Sequence, residues 1–315
     1  MPQSVSHGYG LLAIALASVL WGTTGTAASF APGISSLAIG AFAMGGGGLL
    51  LVLSARNRLL ADLPRLRQHP ALLLLGGAAV AIYPLAFYTS MRLAGVAIGT
   101  VVSIASAPFF AALLERLFSK TRVSRHWLFS FALGALGIAL LAIGKAPDSA
   151  ATHSAAHTTW GVLLGLLAAL TYASYAWAAR GLIHRGVSSQ SAMASMFGLA
   201  AVVLLPSLAW TGDTLLASAN NAAVAVYMAI VPMFLGYVLF GLGLRVVEAS
   251  QATLITLIEP LVATVLAIVV VGEGFKTVGW LGMALVFVCL VLQTRRSQQP
   301  LPPATVADEA TVSCP

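Results

Sequence analysis

The chain has little charge. Of its 315 residues only 8% are Asp, Glu, Lys or Arg, with 9 acidic against 16 basic, where ordinary soluble domains carry roughly 25%. A water-solvated protein of this length has too much surface for so few charges, which leaves lipid as the main solvent. Cysteine is nearly absent too. Cys289 sits inside the last apolar run and Cys314 near the end of the chain, a placement that implies no disulfide framework. All six histidines (His7, His69, His126, His153, His157 and His184) fall outside the apolar runs or at their edges. No metal-ligating spacing arises, and no cofactor is expected. The net charge of +7 is spread in short basic clusters between apolar runs, the pattern of membrane topology rather than of a nucleic-acid face.

What the chain has in abundance is apolar sequence, 59% of all residues. A span of the hydrocarbon core takes about twenty mostly apolar residues. That rule predicts ten transmembrane helices, approximately Tyr9–Phe30, Leu37–Leu53, Ala71–Met91, Val96–Leu117, Trp127–Ile143, Thr159–Ala179, Ser189–Leu208, Ala222–Leu244, Ser250–Val271 and Thr277–Leu292. The second and tenth are the shortest. The second contains Gly45–Gly48, a run suited to close helix packing because small residues let backbones approach. Met1–Gly8 has no Lys or Arg and precedes about twenty apolar residues, so the first segment reads as a span and not a secretory signal. Breaks are expected at Ala31–Gly33, Arg56–Pro70, Lys145–His157 and Thr211–Asp213, and a disordered tail over residues 297–315.

Positive charge orients the chain. With a cytoplasmic N-terminus, alternation places Arg56, Arg58, Arg65, Arg67, Arg116, Lys120, Arg122, Arg125, Arg180, Arg185, Arg245, Arg295 and Arg296 inside. Only Arg92, Lys145 and Lys276 remain outside. The positive-inside rule therefore puts both termini in the cytoplasm and the chain in the inner membrane.

The sequence also repeats. Arg92, Pro108 and Trp127 recur as Arg245, Pro260 and Trp280 at an offset of about 152 residues, and Trp21 matches Tyr172 at nearly the same offset. The implied units are 1–145 and 159–296, joined by an extracytoplasmic linker over 146–158. Each unit has an odd number of spans, so the two must insert upside down relative to each other. The expected fold is thus all-α, two inverted five-helix repeats around a central midplane cavity, an architecture of transporters.

Short motifs sharpen this. Tyr88-Thr89-Ser90, Pro108-Phe109-Phe110-Ala111-Ala112-Leu113 and Trp127 in the first half, and Glu259-Pro260-Leu261-Val262-Ala263, Gly272-Glu273 and Trp280 in the second, together with Trp21-Gly22, resemble the EamA repeats of the drug/metabolite transporter superfamily. Ser119-Lys120 stands where that family often has Gly-Glu. The ten-helix pattern is similar to amino-acid and metabolite exporters, including the YddG type. The resemblance implies a secondary transporter, not an enzyme, working by alternating access.

Within the spans, Glu259 is the acidic residue nearest mid-bilayer, where a charge is costly and usually functional. Two readings stay open: a substrate- or proton-coupling carboxylate, or a structural partner for backbone freed by Pro260. Glu115 lies beside Arg116 near the cytoplasmic end of its helix, where it is expected to reach water. No Lys or Arg lies mid-span, which argues against polyanions, since phosphate groups are held by fixed cations. Trp21, Thr24, Tyr83, Tyr172, Tyr175, Trp177 and Tyr237 lie within spans and together suit one cavity for a neutral, zwitterionic or amphipathic small molecule. Each taken alone is better read as a packing residue. Trp127, Trp160, Trp210 and Trp280 fall at span ends, the position of the interfacial belt. Pro84, Pro108, Pro232 and Pro260 lie near mid-span, as flex points or as static bends. Substrate and bilayer are the only partners expected; the oligomeric state is not encoded legibly.

A reporter fused to the C-terminus tests the orientation. Alkaline phosphatase there stays inactive and a cytoplasm-dependent fluorescent protein is bright; the reverse pattern contradicts the charge count.

Overall fold

The computed structural model describes residues 6–121, 123–144, 155–272, 274 and 276–296. Most of the linker and all of the tail expected from the sequence, as well as Arg122, Lys145 and Glu273, lie outside these residues.

Among the described residues nine helices are long and apolar enough to cross a membrane. They are α1 His7–Ser29, α2 Ser36–Gln68, α3 Pro70–Ala94, α4 Ile98–Phe118, α5 Arg125–Gly144, α6 Ala156–His184, α7 Ser189–Thr211, α8 Ala219–Gly243 and α9 Ala249–Val271. A tenth, α10, has a shorter apolar stretch, Thr277–Gln293. Serines start five of them: Ser6, Ser35, Ser124, Ser188 and Ser218 each accept a hydrogen bond from the backbone three residues on, satisfying donors that a helix start leaves open. Pro70 opens α3, a position where its missing N–H costs nothing.

One expectation is corrected. The second span is the longest helix, 33 residues, and not one of the shortest. It runs through Arg56–Arg67 and over Pro64 instead of ending in a loop. Beyond the apolar part the helix is held by Asp62, whose carboxylate accepts from Arg65 at 2.9 Å and from the Ser188 backbone N–H at 3.0 Å. Asp62 thereby ties this extension to the start of α7.

Helix packing shows the repeat directly. α3 lies along α6 and α1 along α8; α4 packs on α6 and α1 on α9; α3 touches α7 and α2 touches α8. Three further pairs, α2 with α7, α4 with α9 and α5 with α10, join equivalent helices. Exchanging the first five helices for the last five maps this set of contacts onto itself. The α2–α7 crossing is close because of the glycine run. A Cβ on Gly48 would stand 2.5 Å from the Phe197 carbonyl oxygen, and one on Gly45 2.7 Å from the Leu205 side chain. Lipid-embedded helices gain no hydrophobic drive against one another, so such backbone proximity is what holds them.

Trp160, Trp210 and Trp280 face outward as expected of a belt. Trp127 does not: it is buried and stacked on Phe131, ring centroids 5.3 Å apart.

Substituting Gly48→Val drives a side chain into main-chain atoms that cannot step aside. The expected loss is about 1–3 kcal/mol, read as a lower melting temperature of the purified protein. An unchanged melting temperature contradicts the close-packing account.

Candidate functional site

Four helices are irregular inside the bundle. α1 breaks at Thr23 between two helical segments, His7–Gly22 and Thr24–Ser29. α8 widens into a π-turn over Ala229–Leu235 around Pro232. α9 breaks at Thr256–Leu257, just before Glu259 and Pro260. α4 has the matching π-turn, Val101–Ala105, just before Pro108. The last two interruptions stand about 152 residues apart, so the repeat conserves the defect as well as the proline. Proline lacks a backbone N–H and crowds the carbonyl four residues earlier, which explains why the turn upstream loosens. Pro84, by contrast, sits in the unbroken helix Pro70–Ala94.

A cavity opens beside the breaks in α1, α8 and α9. Trp21, Thr24, Tyr83, Tyr172, Tyr175, Tyr237 and Glu259 line it, with Pro84. The sequence therefore named seven of its wall residues among its eight binding candidates. Trp177 is the eighth, and the structure does not bring it to this cavity. Its indole donates to Ser119 Oγ at 3.0 Å, near the opposite end of the bundle. The structure adds wall residues that sequence reasoning passed over: Phe87, Tyr88, Met44, Met228 and Met233, with Gly40 and Ala43. Tyr83 and Phe87 were within reach of sequence logic, being i and i+4 on one helix face. The methionines carry no signal that separates a cavity wall from a core.

The floor is a connected aromatic layer. Trp21 Nε1 donates to the Pro232 carbonyl at 2.9 Å, and its ring lies 4.8 Å from Tyr237. This contact needs Gly236, where a Cβ would meet the indole nitrogen at 2.6 Å. Tyr175 and Tyr237 share a hydroxyl–hydroxyl bond of 3.1 Å. Tyr172 stacks on Tyr175 at 5.2 Å and donates to Thr256 Oγ1 at 2.9 Å, at the break in α9. Thr23 and Thr24 return their hydroxyls to the Leu20 and Trp21 carbonyls. Within this layer Tyr175, and beneath it Phe197, Phe240 and Leu244, are sealed from solvent. Above it Thr24, Gly40, Ala43, Tyr88 and Met228 lie toward the end of the bundle opposite the N-terminus, as the direction of each helix requires. The cavity thus belongs to one end, with the other closed.

Glu259 is the one charged side chain in the lining. Among the described residues neither its carboxylate nor the hydroxyls of Tyr83 and Tyr88 find a hydrogen-bond partner, whereas Trp21, Tyr172, Tyr175 and Tyr237 are all engaged. The structural reading of Glu259 as a plug for the Pro260 break loses ground here. It is the Thr256 carbonyl that takes up the break, accepting from the Glu259 backbone N–H at 2.9 Å. Three polar groups are therefore left facing the cavity. The free space is about 60 Å³, room for about four waters, so a metabolite enters only if the walls part.

Residues 8–143 and 159–295 each match the EamA-like transporter family. The chain belongs to that family. An uncharacterized transporter of Bacillus subtilis, YwfM, is 30% identical over 284 residues, covering 89% of this chain and 92% of that protein. A protein of Streptantibioticus cattleyicolor named "Probable terminal-alkyne amino-acid exporter" is 28% identical over 236 residues, 74% of this chain and 76% of its own length. A solved crystal structure superposes with a TM-score of 0.75 at 17% identity, covering 92% of this chain and 99% of that one, which shows the shared fold. The two family matches coincide with the two halves exchanged by the packing symmetry, and this EamA-like protein is a multi-pass membrane transporter.

Proposed function

We propose that the protein is a secondary transporter that exports small neutral, zwitterionic or amphipathic metabolites, amino acids foremost, from the cytoplasm by alternating access. The observation that carries this reading is the cavity itself. It is aromatic, contains a single carboxylate and no cation, and is open toward one end of a two-fold scaffold. A cationic ammonium is attracted to the faces of Tyr and Trp rings and to Glu259. The unengaged Tyr83 and Tyr88 hydroxyls are donors for a carboxylate or other polar end. With both termini cytoplasmic on this reading, the cavity lies toward the outer end, and its small volume fits a contracted state leaning outward. The name of the Streptantibioticus relative supports amino-acid export.

A second reading, efflux of organic cations, is favoured by one feature: the lining offers a carboxylate for the ammonium but no Lys or Arg for a substrate carboxylate. The two readings share the role of Glu259. It also serves as the proton site if export is proton-coupled.

Purified protein in liposomes separates them. Counterflow of labelled amino acids, aromatic metabolites and a lipophilic cation is measured side by side. Amino acids are expected to exchange; exchange of the cation alone moves the assignment to efflux, and exchange of none contradicts both. In Glu259→Gln the lost charged hydrogen bond is worth about 2 kcal/mol, or about thirtyfold in affinity. Its transport is expected to be flat across mildly acidic to mildly alkaline pH. A folded Glu259→Gln protein with wild-type affinity and pH profile contradicts the assigned role.

A further inference from the structure

A second cavity, of about 390 Å³, lies at the closed end between α4, α6 and the α8–α9 turn. Its walls hold charges of both signs, Glu115 and Glu248 against Arg180 and Arg185, with His184 among them, beside the aromatic pair Phe118 and Trp177, whose rings lie 5.4 Å apart. Glu115 does not reach out to water as its neighbour Arg116 suggested. It is 5% exposed, and its carboxylate accepts from the Ser250 backbone N–H at 3.2 Å, at the start of α9. Across the cavity Arg180 donates to the Leu244 carbonyl at 3.1 Å and to that of Val247. Two charged side chains from two helices thus bolt the α8–α9 turn from either side. Among the described residues the one ion pair is Asp62–Arg65, so Glu115, Glu248 and Arg180 share the cavity without pairing with one another.

The scaffold's symmetry makes this bolt conspicuous. The positions about 152 residues from Arg180 and Glu115 are Ala28 and Ala267. The equivalent α3–α4 turn at the other end, which passes through Gly95 at φ +86°, has no such charged clamp in those two places. These two charged side chains therefore clamp one end of the repeated fold and have no counterpart in those places at the other.

We propose that this inner cavity is an entry site for a zwitterion, which takes its carboxylate to Arg180, its ammonium to Glu115 and Glu248, and its side chain to Trp177 and Phe118. Occupancy frees the α8–α9 turn. While the turn is bolted, Arg180 and Glu115 are committed to neutral backbone groups. A zwitterion offers each a charged partner, and charge-assisted hydrogen bonds are the stronger ones. The full set of contacts exists only when the turn is released, and a ligand shifts an equilibrium by its differential affinity for the two states. Binding from the inner side therefore favours opening there. This deepens the amino-acid reading and rests on it. It also gives Trp177 a place: a contact on the way in, apart from the central cavity.

Hydrogen exchange of the full-length protein in lipid nanodiscs, followed in the segment 244–252, tests the site. The probe is L-phenylalanine, compared with N-acetyl-L-phenylalanine and L-phenylalanine methyl ester, each lacking one charge. L-phenylalanine is expected to speed exchange of this segment about fivefold or more, the lower end of ordinary coupling between sites, and the two monopolar analogues are not. In Glu248→Gln, read against its own ligand-free exchange, L-phenylalanine is expected to produce no acceleration; a response equal to the wild type overturns the place given to Glu248. Unchanged exchange in a protein that counterflows labelled L-phenylalanine overturns the site and leaves the export reading intact. Faster exchange without counterflow supports the site and contradicts export of this amino acid. Equal acceleration by either analogue overturns the zwitterion assignment, and the absence of both acceleration and counterflow overturns both proposals.

Discussion

Hydrocarbon offers a backbone no hydrogen-bond partner, and this constraint shapes the whole molecule. A helix in lipid is safe while it is regular, and an interruption is tolerated only where protein or a cavity takes up the freed groups. Among the described residues three of the five interruptions, in α1, in α8 and at Thr256–Leu257 in α9, border the central cavity. Side chains that line the cavity also repair the backbone around it. Thr23 and Thr24 cap carbonyls at the α1 break, Trp21 takes the carbonyl of Pro232, and Tyr172 engages Thr256. What remains unengaged, Glu259 with the Tyr83 and Tyr88 hydroxyls, is what a substrate would meet.

The scaffold is symmetric and its conformation is not. The helix contacts are unchanged when the halves exchange, yet space opens above the aromatic floor and is sealed at and below it by Tyr175, Phe197, Phe240 and Leu244. Inverted-repeat transporters alternate access by rocking one repeat against the other around a fixed site, and on the proposed reading the second state of this chain has the halves' shapes swapped and the other end open. Gly45–Gly48 hold α2 against α7 across the pseudo-two-fold axis, a contact both states can keep. On the same reading, the Glu115 and Arg180 clamp on one turn alone biases which state prevails without ligand.

Much of this was legible in the sequence because lipid leaves so few degrees of freedom. Apolar runs gave the span count, the odd number per repeat gave the inversion, and the scarcity of polar groups in the spans made each one conspicuous. The misreadings share a cause: residues that have the chemistry of a surface or loop but are used inside. Pro64 and the arginines around it looked like a connection, but the helix runs on past the apolar stretch and is pinned through Asp62. Glu115 looked solvated, and its partner is a backbone amide 135 positions away, which no local pattern announces. Trp177 was grouped with Tyr172 and Tyr175 by depth alone. At about 100° per residue it points away from both, a phase argument the sequence already contained. The methionine walls had no signal to find.

Alternating access between mirror states is the central claim, and distances between equivalent sites on the two faces test it most directly. Gly33 and Arg92 are exposed at one end, and their repeat equivalents Arg185 and Arg245 at the other. Spin labels on each pair, with Cys289 and Cys314 replaced by serine, report both ends by pulsed electron paramagnetic resonance. When a transported amino acid is added, the account predicts that the Gly33–Arg92 distance shortens while the Arg185–Arg245 distance lengthens. Distances that stay fixed, or that shift in the same sense, in protein that still transports would contradict it.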